Sequence, residues 1–386
     1  MQPNSTVSYD WKTPSPTHRY RTGVSLHSHT SHSIESLLFI HSMFMESRPL
    51  RSLFSYYERV SRDRHNLTLD FVAANWRPPL MPRMAFDLES RQIRDLGLRP
   101  LVSITDHDDI QAPLQLRTMP SSRHIPMSLE WSVPFGTTAF HMGVHNLPSA
   151  TALQWMDRLA QFTAEPDETK LGAILADLHA NPHVLVVLNH PLWDLYKIGA
   201  KAHGAELDRF LLNHNDVVHA LELNGLRHSR ENSDVVTLAS RWGQLLISGG
   251  DRHGMEPNAN INLTDATNFN DFVQEIRVER RSHVLFLKQY SRSWGQRIME
   301  STLDAVVDHA TFVPGWQKWD ERAFHPDAQG VMRPFSELWV KGKAPRLLRV
   351  AIGAVRLLRH RAVSQALGRV LADGGTDLLG AKSEVA

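Results

Sequence analysis

Short apolar segments alternate with segments of helical periodicity along residues 21–290. Seven apolar segments end in polar or histidine-rich residues, and they cover 23–29, 101–108, 124–131, 138–145, 183–190, 217–225 and 244–253. An eighth, 282–288, lacks the polar end, and helical patterns occupy 86–98, 151–162, 169–180, 232–242 and 270–280. Strands that alternate with helices are typical of an α/β protein with parallel pairing. Seven or eight such units in about 270 residues favour a barrel over an open doubly wound sheet.

Two parts of the chain interrupt this alternation. Residues 37–85 join a Met- and Phe-rich stretch to a proline-rich stretch, which predicts a helical insertion after the first strand. Residues 291–386 lack the alternation and are predicted to form a helical C-terminal extension. We therefore expect an N-terminal segment at 1–20, a barrel at 21–290 and the extension at 291–386.

The composition limits the chemistry of any metal site. The 386 residues include 22 histidines and no cysteine, so imidazole and carboxylate would have to bind a transition metal. The 42 Lys and Arg nearly balance the 41 Asp and Glu, which argues against a globally basic nucleic-acid-binding protein. The chain has no apolar run long enough for a membrane span and no signal-peptide core at its N-terminus. These features predict a cytoplasmic protein without integral membrane association.

Histidines and carboxylates recur where the predicted strands end. His27 and His29 form a His-x-His pair, which chance alone would produce about once in a chain with this many histidines. On a strand, however, residues i and i+2 project from one face, and barrel active sites lie at these strand ends. Later strands add further candidates: Asp106, His107, Glu130, His141, His145, His190, Asp251 and His253. Repeated at the ends of six strands, such residues indicate a polynuclear metal site.

In order and spacing these residues resemble the PHP (polymerase and histidinol phosphatase) domain superfamily of metal-dependent phosphoesterases. The segments ITDHDDI (104–110), NHP (189–191) and GGDRH (249–253) are especially similar, and the resemblance covers about residues 21–290. It implies a distorted (β/α)7 TIM-like barrel with a trinuclear Zn, Mn or Fe site in which Glu130 bridges two ions. Carried over residue by residue, the implied ligands are His27, His29, Glu35, His107, Glu130, His141, His190, Asp251 and His253.

The charges of this set suit phosphate chemistry. Six neutral imidazoles and three carboxylates would leave three divalent ions with a surplus of about three positive charges, which suits a hydroxide and a phosphate oxyanion. We therefore predict a phosphatase, phosphodiesterase or nuclease with two or three divalent ions, in which a metal-bridged hydroxide attacks the ester. The residues predicted to take part in catalysis are His27, His29, His107, Glu130, Asp251 and His253. The substrate is expected to be a phosphorylated small molecule or an oligonucleotide.

Several other residues could serve this site. Asn224, Arg227 and Arg230 follow the sixth strand, where they could bind phosphate or simply form a solvated turn. Asp106 is predicted to orient an imidazole, and His145 competes with His141 as the ligand of its strand.

The segment 341–372 is rich in basic residues. Its arginines lie roughly on one face of a predicted helix, opposite Leu and Val. This amphipathic helix could contact nucleic acid or an anionic membrane, or could dock on the barrel with its basic face in solvent.

Two other functions are consistent with parts of this pattern. An amidohydrolase-like barrel that cleaves C–N or C–O bonds also begins with His-x-His, but it usually contains a bridging lysine where this chain offers Glu130. A noncatalytic module that binds metal only for stability would be expected to lack several of the ligands, and nearly all are present. The phosphoesterase therefore remains the preferred hypothesis.

Overall fold

Strands and helices alternate along most of the chain in a computed structural model that describes residues 4–12, 16–37, 48–65, 67–339, 344 and 346–357. The strands are β1 Asn4–Tyr9, β2 Thr22–Ser25, β3 Glu35–Ser36, β4 Asn75–Trp76, β5 Arg99–Val102, β6 Met127–Phe135, β7 Thr138–Leu147, β8 Leu185–Asn189, β9 Ala220–Asn224, β10 Leu245–Gly249, β11 Asn260–Thr264, β12 Arg281–Phe286, β13 Ala323–Pro326 and β14 Met332–Pro334. The helices are α1 Arg48–His65, α2 Pro82–Asp95, α3 Gln111–Arg117, α4 Ala152–Ala164, α5 Glu168–Ala180, α6 Ala200–His214, α7 Ser229–Trp242, α8 Phe269–Arg277, α9 Trp294–Val306, α10 Phe335–Leu338 and α11 Arg346–Leu357.

Ten of these strands form two five-stranded sheets. One has the order β1-β12-β11-β2-β5 and the other the order β10-β9-β8-β7-β6. Strand pairs β2–β5, β8–β9 and β9–β10 are parallel, as the alternation predicts. The expectation of parallel pairing is wrong for β7–β8, which are antiparallel, and for β6–β7, an antiparallel hairpin closed by the two residues 136 and 137. Gly136 has a φ of 55°, the left-handed conformation that such tight turns need.

Backbone hydrogen bonds join the two sheets just after β2, β5 and β10 and within β6. On one side, the Glu130 amide donates to the Asp106 carbonyl at 3.1 Å, and the Asp108 amide donates to the Glu130 carbonyl at 2.8 Å. On the other side, the Asp251 amide donates to the His27 carbonyl at 2.7 Å. The fold is thus a mixed α/β fold, and strand pairing in the described part gives two separate sheets rather than one closed barrel.

Apolar side chains fill both faces of the central strands. In β8, Leu185 and Val187 face a cluster shared with residues of β2, β5, β9 and β10, so this cluster lies between the two sheets. Val186 and Leu188 point the opposite way, into a larger cluster that contains residues of helices α4 to α7. A strand that is buried on both faces is expected to be continuously apolar, as residues 184–188 are.

Segments outside the predicted barrel contribute strands as well as helices. β1, from the predicted N-terminal segment 1–20, pairs in parallel with β12. Neither β1 nor β11 is predicted from the sequence. A small sheet of order β14-β13-β4-β3 joins the insertion 37–85 to the C-terminal extension, which is therefore not purely helical. The domain boundaries themselves stay predictions.

The predicted basic helix is described in part. α11 covers residues 346–357, and within it the Arg356 guanidinium pairs with Asp308 at 2.8 Å, next to the end of α9. This contact agrees with a helix docked on the protein. Residues 358–372 of the predicted helix lie outside the described residues, as do 38–47 of the predicted insertion.

Among the described helices, none combines the length and the apolar character that crossing a membrane requires.

Candidate metal centre

Tight turns after the strands place the predicted ligands. His27, His190 and Asp251 each have a positive φ, of 59°, 26° and 53°. Non-glycine residues seldom adopt this conformation, which costs about 1–3 kcal/mol and persists only where the surroundings enforce it. Here the bonds between the two sheets enforce it, because the carbonyl of His27 accepts from the amide of Asp251. Three of the seven non-glycine residues with a positive φ in the described part of the chain are thus predicted ligands.

Glu130, on β6, lies at the centre of the predicted ligands and is fully buried. Its two carboxylate oxygens lie 3.0–3.4 Å from ring nitrogens of histidines that come from both sheets. These atoms are Nε2 of His27, Nε2 of His29, Nδ1 of His107, Nδ1 of His141 and Nε2 of His190. Contact with so many imidazoles places Glu130 where a bridging ligand would be.

Glu35 and Asp251 connect the remaining histidines to this centre. Glu35 contacts His107 at 3.4 Å and His253 at 3.2 Å, and it is held on β3 by pairing with Trp76 of β4. Asp251 contacts His27 at 3.6 Å and His29 at 3.5 Å. The structure thus brings together all nine residues that the sequence predicts as ligands.

The arrangement fits metal ions better than hydrogen bonds. Buried nitrogens of His27, His29, His107 and His141, together with one oxygen of Glu130, have no hydrogen-bond partner among the described residues. Two ligand atoms about 2.1 Å from one ion lie about 3.0–3.4 Å apart, close to the separations seen here. Ligand atoms gather into four overlapping groups: His29, Glu35, His107 and His253; His27, His29 and Glu130; His27, His190 and Asp251; His107, Glu130 and His141. Imidazole and carboxylate donors suit Zn, Mn or Fe.

The three carboxyl groups of the site are ionised near neutral pH. Burial would raise the pKa of Glu35, Glu130 and Asp251, but the surrounding imidazoles hold the pKa of each carboxyl well below its usual range. Burial, reinforced by the neighbouring His253, lowers the pKa of His29 to about 3. Burial would also lower the pKa of His27, His107 and His253, but the nearby carboxylates raise it, for His107 to about 10. Metal ions bound here would therefore displace protons from these three rings, because imidazole binds metal in its neutral form.

Glu222, which the sequence analysis does not single out, lies directly behind the ligands. Its carboxylate accepts from Nδ1 of His27 at 2.5 Å and from the backbone amide of His190 at 2.8 Å. Glycine is required beside it, because a Cβ on Gly249 would lie 1.5 Å from the Glu222 carboxylate. The bond to Nδ1 fixes the imidazole so that Nε2 of His27 faces the centre, as carboxylates behind metal-binding histidines do.

We expect Glu222→Gln to lower metal affinity by about 10- to 100-fold while the protein still folds. An amide cannot accept on both sides, so either His27 or the His190 amide loses its acceptor. Competition with a chelating dye would measure the affinity, and thermal unfolding would check the fold. Unchanged affinity in a folded variant would show that Glu222 does not orient His27.

Asp106 and His145 have other partners. The sequence predicts that Asp106 orients an imidazole, but in the structure its carboxylate accepts from the amide of Thr30 at 2.5 Å and from the Thr30 hydroxyl at 2.7 Å. It therefore fixes the turn that follows His29. His145 bonds to the Ser103 hydroxyl at 2.8 Å, away from the four groups of ligand atoms, in which His141 stands instead.

The predicted phosphate contacts lie at different distances from the centre. Arg227 approaches it, with its guanidinium 3.6 Å from Asp251 and stacked 3.4 Å above the ring of Trp193. Asn224 is buried and donates to Glu222 at 2.9 Å and to Asp251 at 3.2 Å. Arg230 is exposed at the start of α7. Of the three, Arg227 is the one whose charge faces the centre.

Comparison with known proteins gives only distant structural similarity. No protein-family profile matches the chain, and no curated protein sequence matches it. An amidohydrolase from Chromobacterium violaceum, solved with sulfate and no metal, is 16% identical over 46% of this chain and 83% of its own, with a TM-score of 0.31. A protein named as a candidate metal-dependent phosphoesterase from Bifidobacterium adolescentis is 18% identical over 53% of this chain and 92% of its own, with a TM-score of 0.30. Similarity at this level identifies neither the family nor the reaction of this chain.

Proposed function

We propose that this protein is a metal-dependent hydrolase that cleaves a phosphate ester at the centre around Glu130. The observation that carries the proposal is the gathering of nine buried or nearly buried histidines and carboxylates beside Arg227. Unpartnered imidazole nitrogens of this set surround the carboxylate of Glu130. We also propose that the two sheets form the walls of a distorted seven-strand barrel, as the bonds between their carboxyl ends suggest. A cytoplasmic location and contact of the segment 341–372 with nucleic acid stay predictions.

Metal ions bound here would activate water near neutral pH and polarise a phosphoryl oxygen. The chain's own residues would hold the ions and bind the substrate. Glu130 and Asp251 would supply most of the negative charge that holds the ions together, and Glu222 would keep His27 in its binding orientation. Arg227 would bind a phosphate oxygen, since its planar guanidinium matches the oxyanion.

The C-terminal extension holds the Arg227 loop in place. Arg297, on α9, donates to the backbone carbonyls of Gly225 and Arg227, and the Trp294 indole donates to the carbonyl of Leu226 at 3.1 Å. Three consecutive carbonyls are thus fixed by one helical turn. A guanidinium on a fixed loop loses less conformational entropy when it binds an anion.

Metal analysis combined with hydrolysis assays tests the proposal. Purified protein is expected to contain two or three divalent ions per chain and to hydrolyse a chromogenic phosphomonoester or phosphodiester, most readily with Mn²⁺. Chelation should abolish this activity and addition of metal should restore it. A folded protein that binds the ions but hydrolyses neither ester would overturn the phosphoesterase while leaving the metal centre intact.

Arg227→Gln is expected to raise KM for the phosphate ester by about 10-fold or more, the effect of losing a hydrogen bond to a charged group. Metal content should not change, because Arg227 is not among the grouped ligand atoms. Arg230→Gln, three residues away and exposed, is the matched control. A larger effect from Arg230→Gln than from Arg227→Gln would assign the phosphate contact to the other arginine.

A further inference from the structure

A second candidate binding site lies at the opposite ends of the strands from the metal centre. A cavity of about 500 Å³ opens at the amino ends of β8, β9 and β10. Residues just before these strands line it, among them His179, His219 and Gln244. The same three parallel strands lead to His190, Asn224 and Asp251 at their carboxyl ends. The cavity is therefore separate from the proposed catalytic site.

Two arginines with no carboxylate partner among the described residues line this cavity. Arg277 uses its guanidinium on the backbone carbonyls of His179, Asn181 and Val184 near the end of α5. Arg280 donates to the carbonyl of Gly243 at 2.7 Å, after α7. Burial lowers the pKa of both guanidinium groups, and no nearby acid opposes this effect. Apart from its histidines, the charged side chains that line the cavity are these two arginines and Asp216, so the lining has an excess of positive charge.

A pair of histidines adds a hydrogen-bond donor. The amide of Val186 donates to Nδ1 of His219, so the proton of this imidazole is on Nε2. Nε2 of His219 then donates to Nδ1 of His179 at 2.9 Å, which leaves the proton of His179 on its own Nε2. Burial lowers the pKa of both rings and keeps them neutral. His179 thus offers an N–H group from the wall of the cavity.

Gln244 supplies an unmet acceptor. Its amide nitrogen donates to Asn215 and to the carbonyl of Val218, but its buried Oε1 has no partner among the described residues. A buried polar atom without a partner is unfavourable, so a small movement of this side chain toward a ligand N–H or O–H group would be favoured. Asp216, exposed at the rim, is a second acceptor.

We propose that this cavity binds a small molecule that carries an oxyanion, phosphate or carboxylate, and at least one hydrogen-bond donor. Arg280, with most of its donors unused, binds the oxyanion together with the remaining N–H groups of Arg277 and His179. Asp216 at the rim accepts from the donor. The volume lies in the range of about 300–1,000 Å³ typical of small-molecule sites and exceeds what a single phosphate fills.

Isothermal titration of the full, metal-loaded chain tests this proposal with two probes, inorganic phosphate and succinate. We expect a binding event that weakens by at least about 10-fold in Arg280→Gln, the loss of a charge-assisted hydrogen bond. Arg281→Gln is the matched control: it removes the same charge from the next residue, which pairs with Glu275 and Glu279 and does not line the cavity. The stronger of the two probes identifies the oxyanion.

A second variant tests the proposal in case Arg280→Gln fails to fold. Val278 is 65% exposed at the cavity, so Val278→Glu should fold normally, and its added carboxylate should repel the oxyanion. Phosphate bound at the metal centre would respond to Arg227→Gln and not to these changes. The proposal is overturned if neither probe binds, if Arg281→Gln acts as strongly as Arg280→Gln, or if Arg227→Gln abolishes all binding. None of these outcomes depends on whether the protein hydrolyses an ester.

Discussion

Glu130→Gln is expected to strip the centre of its metal ions and to reduce phosphate-ester hydrolysis by about 1,000-fold or more. The expected size follows because metal catalysis supplies several kcal/mol and each 1.4 kcal/mol is about tenfold in rate. Glu130 belongs to two of the four groups of ligand atoms, and it also contacts histidines of the other two, so its loss affects the whole centre. A neutral amide also removes the negative charge that would hold two ions close together. Metal content by mass spectrometry and turnover of a chromogenic ester measure the two effects.

Glu275→Gln provides the control for burial and charge. Glu275 is a buried carboxylate on α8 that accepts from the Thr264 hydroxyl and from Arg281 and is in none of the groups of ligand atoms. We expect its metal content and activity to equal those of the unaltered protein. If Glu130→Gln kept its full complement of metal, the central position of Glu130 would have no role in binding, and the proposed bridging ligand would be wrong.

Glu89→Ala is expected to destabilise the fold by about 3–5 kcal/mol, the cost of leaving a buried charge without its partner. Glu89, on α2, pairs with Arg252 at 2.8 Å, and both side chains are buried. The second oxygen of Glu89 accepts from the Ser25 hydroxyl and the Asn258 amide, so one carboxylate ties α2 to β2 and to the segment before β11. Chemical denaturation would measure the loss of stability.

The same change should weaken metal binding, because Arg252 lies between Asp251 and His253 in the chain. Asp87→Ala, two residues away on the same helix, is the matched control. Its salt bridge with Arg83 is exposed and is expected to contribute no more than about 1 kcal/mol. Equal destabilisation by both variants would mean that the buried pair gives no special support to the turn at 251–253.

The predicted metal-binding residues could be found from the sequence because the ends of the strands converge whether the strands form one barrel or two joined sheets. His27, His107, His190 and Asp251 each follow an apolar run, and such ends meet in two joined sheets as they would in a barrel. The pairing could not be predicted in the same way. A turn at Gly136 makes β6 and β7 an antiparallel hairpin, although the flanking strands look no different from parallel ones.

Glu222 shows what the sequence analysis missed and how it could have been found. It lies in the apolar run of β9, where a carboxylate is costly to bury without a partner. Glu130 also lies in an apolar run, so the cost of burying a carboxylate indicates a functional role for both residues. The small sheet of β3, β4, β13 and β14 could not be predicted from the sequence. Its strands β3 and β4 have only two residues each, and the sheet joins segments far apart in the chain.

This small sheet imposes an order on how the site can be completed during synthesis. Glu35 is held by Trp76, and Trp76 in turn pairs with Ala323 of β13. The carboxylate that completes the group with His29, His107 and His253 thus depends on a strand made almost 290 residues later. The histidines around Glu130 rely on Glu222 and Asp251, which lie about 70 residues or more before β13 in the chain. On the ribosome, the nascent chain can therefore assemble the inner part of the centre well before the strand that supports Glu35 emerges.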